Sequence, residues 1–155
     1  MNICIVGTGY VGLVTAACFA EMGNFVQCVD IDPEIVENLK NGHIHIYEPG
    51  LEDMVKRNYA ANRLNFTTSI NEGMQEALFV FICVGTPSKT DGSCDMSYVH
   101  EVAASVGKNM QEYKVVVNKS TVPVGTANKV REIVSEKLNN REVDIEFDVV
   151  SNPEF

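Results

Sequence analysis

Residues 6 to 32 read "VGTGYVGLVTAACFAEMGNFVQCVDID". Three glycines, Gly7, Gly9 and Gly12, follow the apolar run Ile3 to Val6, and the stretch closes on Asp30 and Asp32. "NICIVG" (2 to 7) has the composition of a strand, residues 10 to 22 that of a helix, and "FVQCVD" (25 to 30) that of a second strand. A Gly-x-Gly-x-x-Gly run gains meaning only where a strand leads in and a helix leads out, and here both flanks are present.

Each glycine then has a physical reason. Gly7 permits a tight turn, Gly9 lets backbone approach a pyrophosphate, and Gly12 allows close packing of helix on strand. The helix beginning near Tyr10 directs its first amides, those of Tyr10, Val11 and Gly12, and the positive end of its dipole toward phosphates. Asp30 stands eighteen residues past Gly12, at the end of the second strand. A carboxylate there can accept hydrogen bonds from the adenine ribose hydroxyls, and it repels a 2′-phosphate. Ile31 to Ile35 include no Arg or Lys to compensate, so the dinucleotide expected is NAD. The competing reading is a strand-turn-helix with incidental glycines. Asp32 reads as a helix cap, with Pro33 at the first helical position and Gly42 past the end of a helix over 32 to 42.

Short apolar runs alternate with amphipathic ones through the rest of the chain. A loop at 43 to 50 precedes a short helix over 51 to 60, a third strand over 64 to 68 and a brief helix over 69 to 76. "ALFVFICVG" (77 to 85) is almost unbroken apolar, which implies a central strand buried on both faces. A helix from Ser97 to Asn109, a strand over 113 to 120, a helix from Gly125 to Leu138 and a strand over 145 to 150 follow. The expected fold is α/β, a Rossmann-type doubly wound sheet of six mainly parallel strands with helices on both faces, forming one domain over 1–155.

Composition excludes other classes. Twelve basic against 21 acidic residues, a net charge of −9, oppose nucleic acid and anionic membrane surfaces. No apolar run approaches the roughly 18 residues of a membrane span, and no signal-peptide pattern opens the chain, so a cytoplasmic location is expected. The five cysteines form no Cys-x-x-Cys pair, and no metal is expected. Cys4, Cys18, Cys28 and Cys83 read as small buried thiols of a reducing compartment, leaving Cys94 in "DGSCD" as the one exposed candidate. His43-x-His45 reads as part of a solvated loop.

Ligands of open α/β sheets gather outside the carboxyl ends of the strands. "Gly85-Thr86-Pro87" follows the fourth strand and reads equally as a turn or as a contact to cofactor or substrate. Ser120 and Thr121, in "KSTVPVG", read as helix-capping hydroxyls, and "SNPEF" (151 to 155) brings Glu154, a carboxylate able to orient or deprotonate water.

Taken in order, "VGTGYVGL", "IYEPGLE", "CVGTPSKTDGSCDMSYV", "NKSTVPVGT" and "SNPEF" resemble the UDP-glucose/GDP-mannose type of nucleotide-sugar dehydrogenases over essentially the entire chain, with "DGSCDMSYV" nearer the UDP-glucose branch. The resemblance implies NAD-dependent, two-step oxidation of a sugar nucleotide's C6 alcohol to the carboxylate, through an aldehyde and a cysteine thioester. It implies that Gly7, Gly9 and Gly12 hold the pyrophosphate and Asp30 the ribose. It places Thr86 and Ser120 on the cofactor side, pairs Thr121 with Glu154 around the hydrolytic water, and assigns Glu48 to loop structure. Ile35 stands where many members carry Lys or Arg.

The family's catalytic cysteine, its central helix and its second domain have no counterpart in these residues. The expectation is therefore a domain that binds NAD without turnover, its UDP-sugar substrate belonging to the complete enzyme, with a homo-oligomer expected from the apolar face left bare. Two alternatives stand beside it: a stand-alone NAD-binding module, and the corresponding domain of a GDP-mannose or UDP-N-acetylmannosamine dehydrogenase. A hydroxy-acid dehydrogenase is disfavoured because His43, His45 and His100 do not form a catalytic arrangement.

Overall fold

The computed structural model describes residues 1–153. Twelve elements run in order: β1 (Asn2–Val6), α1 (Tyr10–Glu21), β2 (Phe25–Val29), α2 (Pro33–Lys40), α3 (Leu51–Ala60), β3 (Leu64–Thr67), α4 (Ile70–Met74), β4 (Phe79–Ile82), α5 (Ser97–Asn109), β5 (Lys114–Asn118), α6 (Thr126–Asn140) and β6 (Phe147–Ser151). The strands form one sheet in the order β3-β2-β1-β4-β5-β6, every adjacent pair parallel. This is the order of a doubly wound dinucleotide fold, with its switch point between β1 and β4. The antiparallel Ser88–Cys94 bridge lies outside the sheet.

Side-chain alternation divides the core in two. Ile3 and Ile5 of β1 join Val26 and Cys28 of β2 under α1, α2 and α3. Cys4 and Val6 face the opposite way, into a second cluster with Val80, Ile82 and Val116 beneath α4, α5 and α6. Right-handed crossovers produce this division: moving from β1 out to β3 puts the connecting helices on one face, and moving from β4 out to β6 puts them on the other.

That rule corrects the reading of residues 77 to 85. Val80 and Ile82 are fully buried, but Phe79 and Phe81 on the other face are only half-buried. The helices of that face lie over the β1–β3 half, and Phe19 of α1 reaches across to Phe81, with ring centroids 5.4 Å apart. The strand itself is shorter than its apolar run, because residues after Ile82 leave the ladder. Both the Lys119 and Ser120 amides donate to the Ile82 carbonyl, at 2.9 and 3.1 Å.

Local chemistry sets the other boundaries. Asp32 Oδ1 accepts from the Glu34 amide at 2.8 Å and caps α2, as its place before Pro33 suggested. Ser69 Oγ caps α4, which ends at Met74 rather than 76. The expectation for Cys18 fails: α1 buries Gly12, Leu13, Ala16, Ala17 and Ala20, and at 100° per residue position 18 turns to solvent. Cys94 is half-buried.

Candidate active site

At the switch point the β1–α1 loop and the loop after β4 diverge to opposite faces, and between them lies a cavity of about 410 Å³. Its lining includes Gly7, Gly9, Asp30, Cys83, Gly85 and Tyr98. The cavity thus joins the glycine loop to the acid at the end of β2, two features separated by a helix in the chain.

The glycines divide their tasks as steric arguments require. Gly7 has φ +99°, and a Cβ there would come within 2.6 Å of the Cys83 carbonyl oxygen. A Cβ on Gly12 would sit 1.9 Å from the Gly7 carbonyl oxygen, so only glycine lets α1 start this close to β1. A Cβ on Gly9 meets nothing within 4 Å. The space above Gly9 is open, at the N-cap of a helix that has no side-chain cap and no acidic residue in its first turn. Open space against a bare helix N-terminus is what a pyrophosphate requires. Val11 is half-buried behind it, and the exposed Tyr10 donates its hydroxyl to Glu48, which ties the 43–50 loop to the start of α1.

Asp30 is held at the cavity rim. Its Oδ2 accepts from the Thr8 amide at 2.9 Å and from the Thr8 hydroxyl, and its Oδ1 accepts from the Asp32 amide at 3.1 Å. Gly85 is exposed beside the cavity and, like Gly9, opens onto empty space.

The loops after β4 and β5 are clasped together. Thr86 Oγ1 donates to the Thr121 carbonyl at 2.8 Å, and buried Ser120 Oγ donates to the Val84 carbonyl at 2.7 Å and to that of Ile82 at 3.3 Å. The capping role read for Ser120 and Thr121 is therefore corrected. Helix α6 starts at Thr126, its N-cap is Gly125 at φ +91°, and Thr126 Oγ1 closes the preceding turn onto the Pro123 carbonyl at 2.7 Å. Thr121 is exposed. Glu154 lies outside the described residues; the strand leading to it is anchored by the Asn152 amide, which donates to the Asn118 carbonyl at 2.9 Å.

Several site residues carry no signal in the sequence. Thr8 occupies a variable position of the glycine pattern, and Tyr98 and Glu101 line the cavity from α5, more than sixty residues away along the chain. Cys83 at the cavity floor is fixed only by the register of β4 against β1. Burial pushes the Cys4 thiol up to about 12 and Cys28 well above its ordinary range, so neither supplies a thiolate. His43 and His45 are exposed, and among the described residues no group of three or more His, Cys, Asp or Glu is placed to hold a metal ion. No helix among the described residues is long and apolar enough to cross a membrane.

Sheet order, glycine cradle and strand-end acid together define a Rossmann-type dinucleotide-binding unit. Comparison with known proteins narrows the class. Residues 1–155 match the model of the UDP-glucose/GDP-mannose dehydrogenase family, NAD binding domain. The chain belongs to this family, and its cofactor is NAD. It is 53% identical over 155 residues to a UDP-glucose 6-dehydrogenase of Pseudomonas aeruginosa, covering 100% of this chain and 34% of that protein. It superposes with a TM-score of 0.91 on a UDP-glucose dehydrogenase from Pyrobaculum islandicum, at 42% identity over 99% of this chain and 35% of that one. A ternary complex of GDP-mannose dehydrogenase from Pseudomonas aeruginosa gives a TM-score of 0.92 at 34% identity, covering 100% of this chain and 36% of that one. The chain thus spans about a third of the length of each of these three relatives.

Proposed function

We propose that these residues form the cofactor half of an enzyme that oxidises UDP-glucose to UDP-glucuronate with two NAD+. The observation that carries the reading is the shared cavity of Gly9 and Asp30, with open space at the helix N-terminus and a fixed carboxylate at its rim. The similarity to UDP-glucose dehydrogenases supports the substrate.

NAD+, when bound, accepts a hydride in each of the two oxidations. The chain's own residues bind and orient. The amides of Gly9, Tyr10, Val11 and Gly12 face the pyrophosphate, Gly7 and Gly12 shape the turn, and Asp30 accepts from the adenine ribose. Gly85 leaves room for the cofactor to pass. Thr86 and Ser120 act on the cofactor side through shape, because their hydroxyl protons are engaged with main-chain carbonyls. Thr121, with Glu154, holds the water that hydrolyses the thioester. Cys4 and Cys28 stay protonated, so the thioester-forming cysteine is not one of them.

Binding of NAD+ without NADH formation is the behaviour proposed for these 155 residues by themselves, as one NAD-binding domain. Five cysteines without a disulfide accord with a reducing cytoplasm. The β4–β6 face that carries Phe79, Phe81 and Val150, the last 43% exposed, supports a homo-oligomer, which light scattering at high concentration tests.

The deciding experiment is a calorimetric titration with NAD+ beside NADP+, with NADH absorbance followed after addition of UDP-glucose. Saturable NAD+ binding with NADP+ much weaker supports the reading. Equal affinities sink the role of Asp30. NADH formed by these residues alone would overturn the proposal of binding without turnover.

A further inference from the structure

The Asp30 carboxylate does not stand alone. Thr8 is fully buried, so its hydroxyl reaches no ligand, yet it spends both its hydroxyl and its main-chain amide on one oxygen of Asp30. The Asp32 amide takes the other oxygen at 3.1 Å. A carboxylate offers about four acceptor sites. Three donors from this chain therefore leave the remaining capacity on Oδ1, and they fix the carboxyl plane before any cofactor arrives.

We propose that Thr8 is a positioning residue that sets the preference for NAD+ over NADP+ by locking the Asp30 carboxylate at the cavity rim. The proposal rests on the reading that Asp30 meets the adenine ribose. Asp30 is only partly buried, and without the Thr8 hydroxyl its carboxylate keeps one main-chain amide on each oxygen, that of Thr8 and that of Asp32, and is held less tightly. A locked carboxylate receives a ribose hydroxyl with no ordering at the moment of binding. It equally confronts a 2′-phosphate with a negative charge that cannot swing aside. A loosened one loses on both counts: the hydroxyl acceptor is less well ordered, and the repulsive charge can shift toward solvent. Thr8 thus acts on selectivity, and its hydroxyl is the operative group.

The test compares Thr8→Val, Thr8→Ser and Asp30→Asn by calorimetry with NAD+ and NADP+, with thermal melts confirming the fold. Thr8→Val keeps the shape and the amide donor and removes the hydroxyl. It is expected to weaken NAD+ about tenfold, the scale of one charge-assisted hydrogen bond, while NADP+ holds or tightens, so that the affinity ratio falls. Thr8→Ser restores the wild-type ratio. A loop that was merely loosened would weaken both cofactors by the same factor, and that result overturns the proposal. So does an unchanged ratio in Thr8→Val when Asp30→Asn has lost it. If Asp30→Asn leaves the ratio at the wild-type value, it is the ribose reading of Asp30 that has failed, and the role of Thr8 falls with it. Should Thr8→Val not fold, Thr8→Ala set against Thr8→Ser gives the same comparison.

Discussion

The Thr86 hydroxyl donates to the carbonyl of Thr121 at 2.8 Å, across 35 residues of chain, and makes the loops after β4 and β5 a single unit. Because the bond uses the main-chain oxygen of Thr121, it holds the backbone at that residue. Thr86→Val is expected to cost about 1 kcal/mol in urea denaturation and to speed amide exchange across residues 120 to 125. Thr86→Ser keeps the donor and should exchange as wild type does. Equal exchange in the two variants would show that the clasp holds nothing.

The glycine loop separates stability from binding. Gly12→Ala drives a Cβ into the Gly7 carbonyl, a main-chain atom that cannot step aside, so a loss of about 3 kcal/mol or more, or failure to fold, is expected. At Gly9 φ is −65° and the space is open, so the stability of Gly9→Ala in a thermal melt should match wild type to within about 0.5 kcal/mol. Its NAD+ affinity should nevertheless fall at least tenfold, because the new methyl group occupies the phosphate's approach. A Gly9→Ala protein with unimpaired NAD+ binding would remove the pyrophosphate from that space.

Stability should fall on acidification through Glu21. Arg57 grips its carboxylate with bonds of 2.9 and 3.0 Å and Asn58 adds one of 2.6 Å, joining α1 to α3. The Arg57 hydrogen bonds, then that of Asn58, hold the Glu21 carboxyl below its ordinary 4.5. A depressed folded-state value means that the contribution is complete above the ordinary value and lost as pH falls through the lowered one. Glu21→Gln should therefore melt below wild type at neutral pH, and the two melting temperatures should converge as the pH falls through the lowered Glu21 value. A gap that persists in acid would assign the difference to packing.

Lys114 is 1% exposed at the start of β5, its Nζ 3.0 Å from Glu112 Oε1 and 3.4 Å from the Gln75 carbonyl. Glu112 is mostly in solvent. Removing the lysine strands no buried charge, whereas removing the glutamate leaves a buried ammonium with one long hydrogen bond. Lys114→Met is expected within about 1 kcal/mol of wild type, and Glu112→Ala below it. Urea denaturation of the pair checks the order, and the reverse order would mean that the ammonium is satisfied without Glu112.

Asn118 ends β5 fully buried, with neither side-chain amide atom hydrogen-bonded among the described residues. Replacing it with an apolar side chain of the same branching removes two desolvated groups at once, so Asn118→Leu should raise stability by about 1 kcal/mol in a thermal melt. A fall instead would point to an internal water held by the amide.

Much of this protein is determined by local sequence. The alternation of short apolar and longer amphipathic runs, the Asp32-Pro33 start of α2 and the spacing of Gly7, Gly9, Gly12 and Asp30 depend on neighbours in the chain and on backbone sterics. They identify the doubly wound class and its dinucleotide loop without coordinates. What only the tertiary structure decided concerns residues whose partners are distant. The register of β4 against β1 puts Cys83 under Gly7 and Gly12, the crossover hand leaves Phe79 and Phe81 half-buried, and the helix phase turns Cys18 outward. That the hydroxyls of Ser120 and Thr86 also clasp the loops after β4 and β5 is visible only in three dimensions, because the carbonyls they meet are 35 or more residues away along the chain. Thr8 carries the same lesson. Its position within the glycine pattern says nothing of its side chain, and only the pairing of β1 with β2 brings it to Asp30.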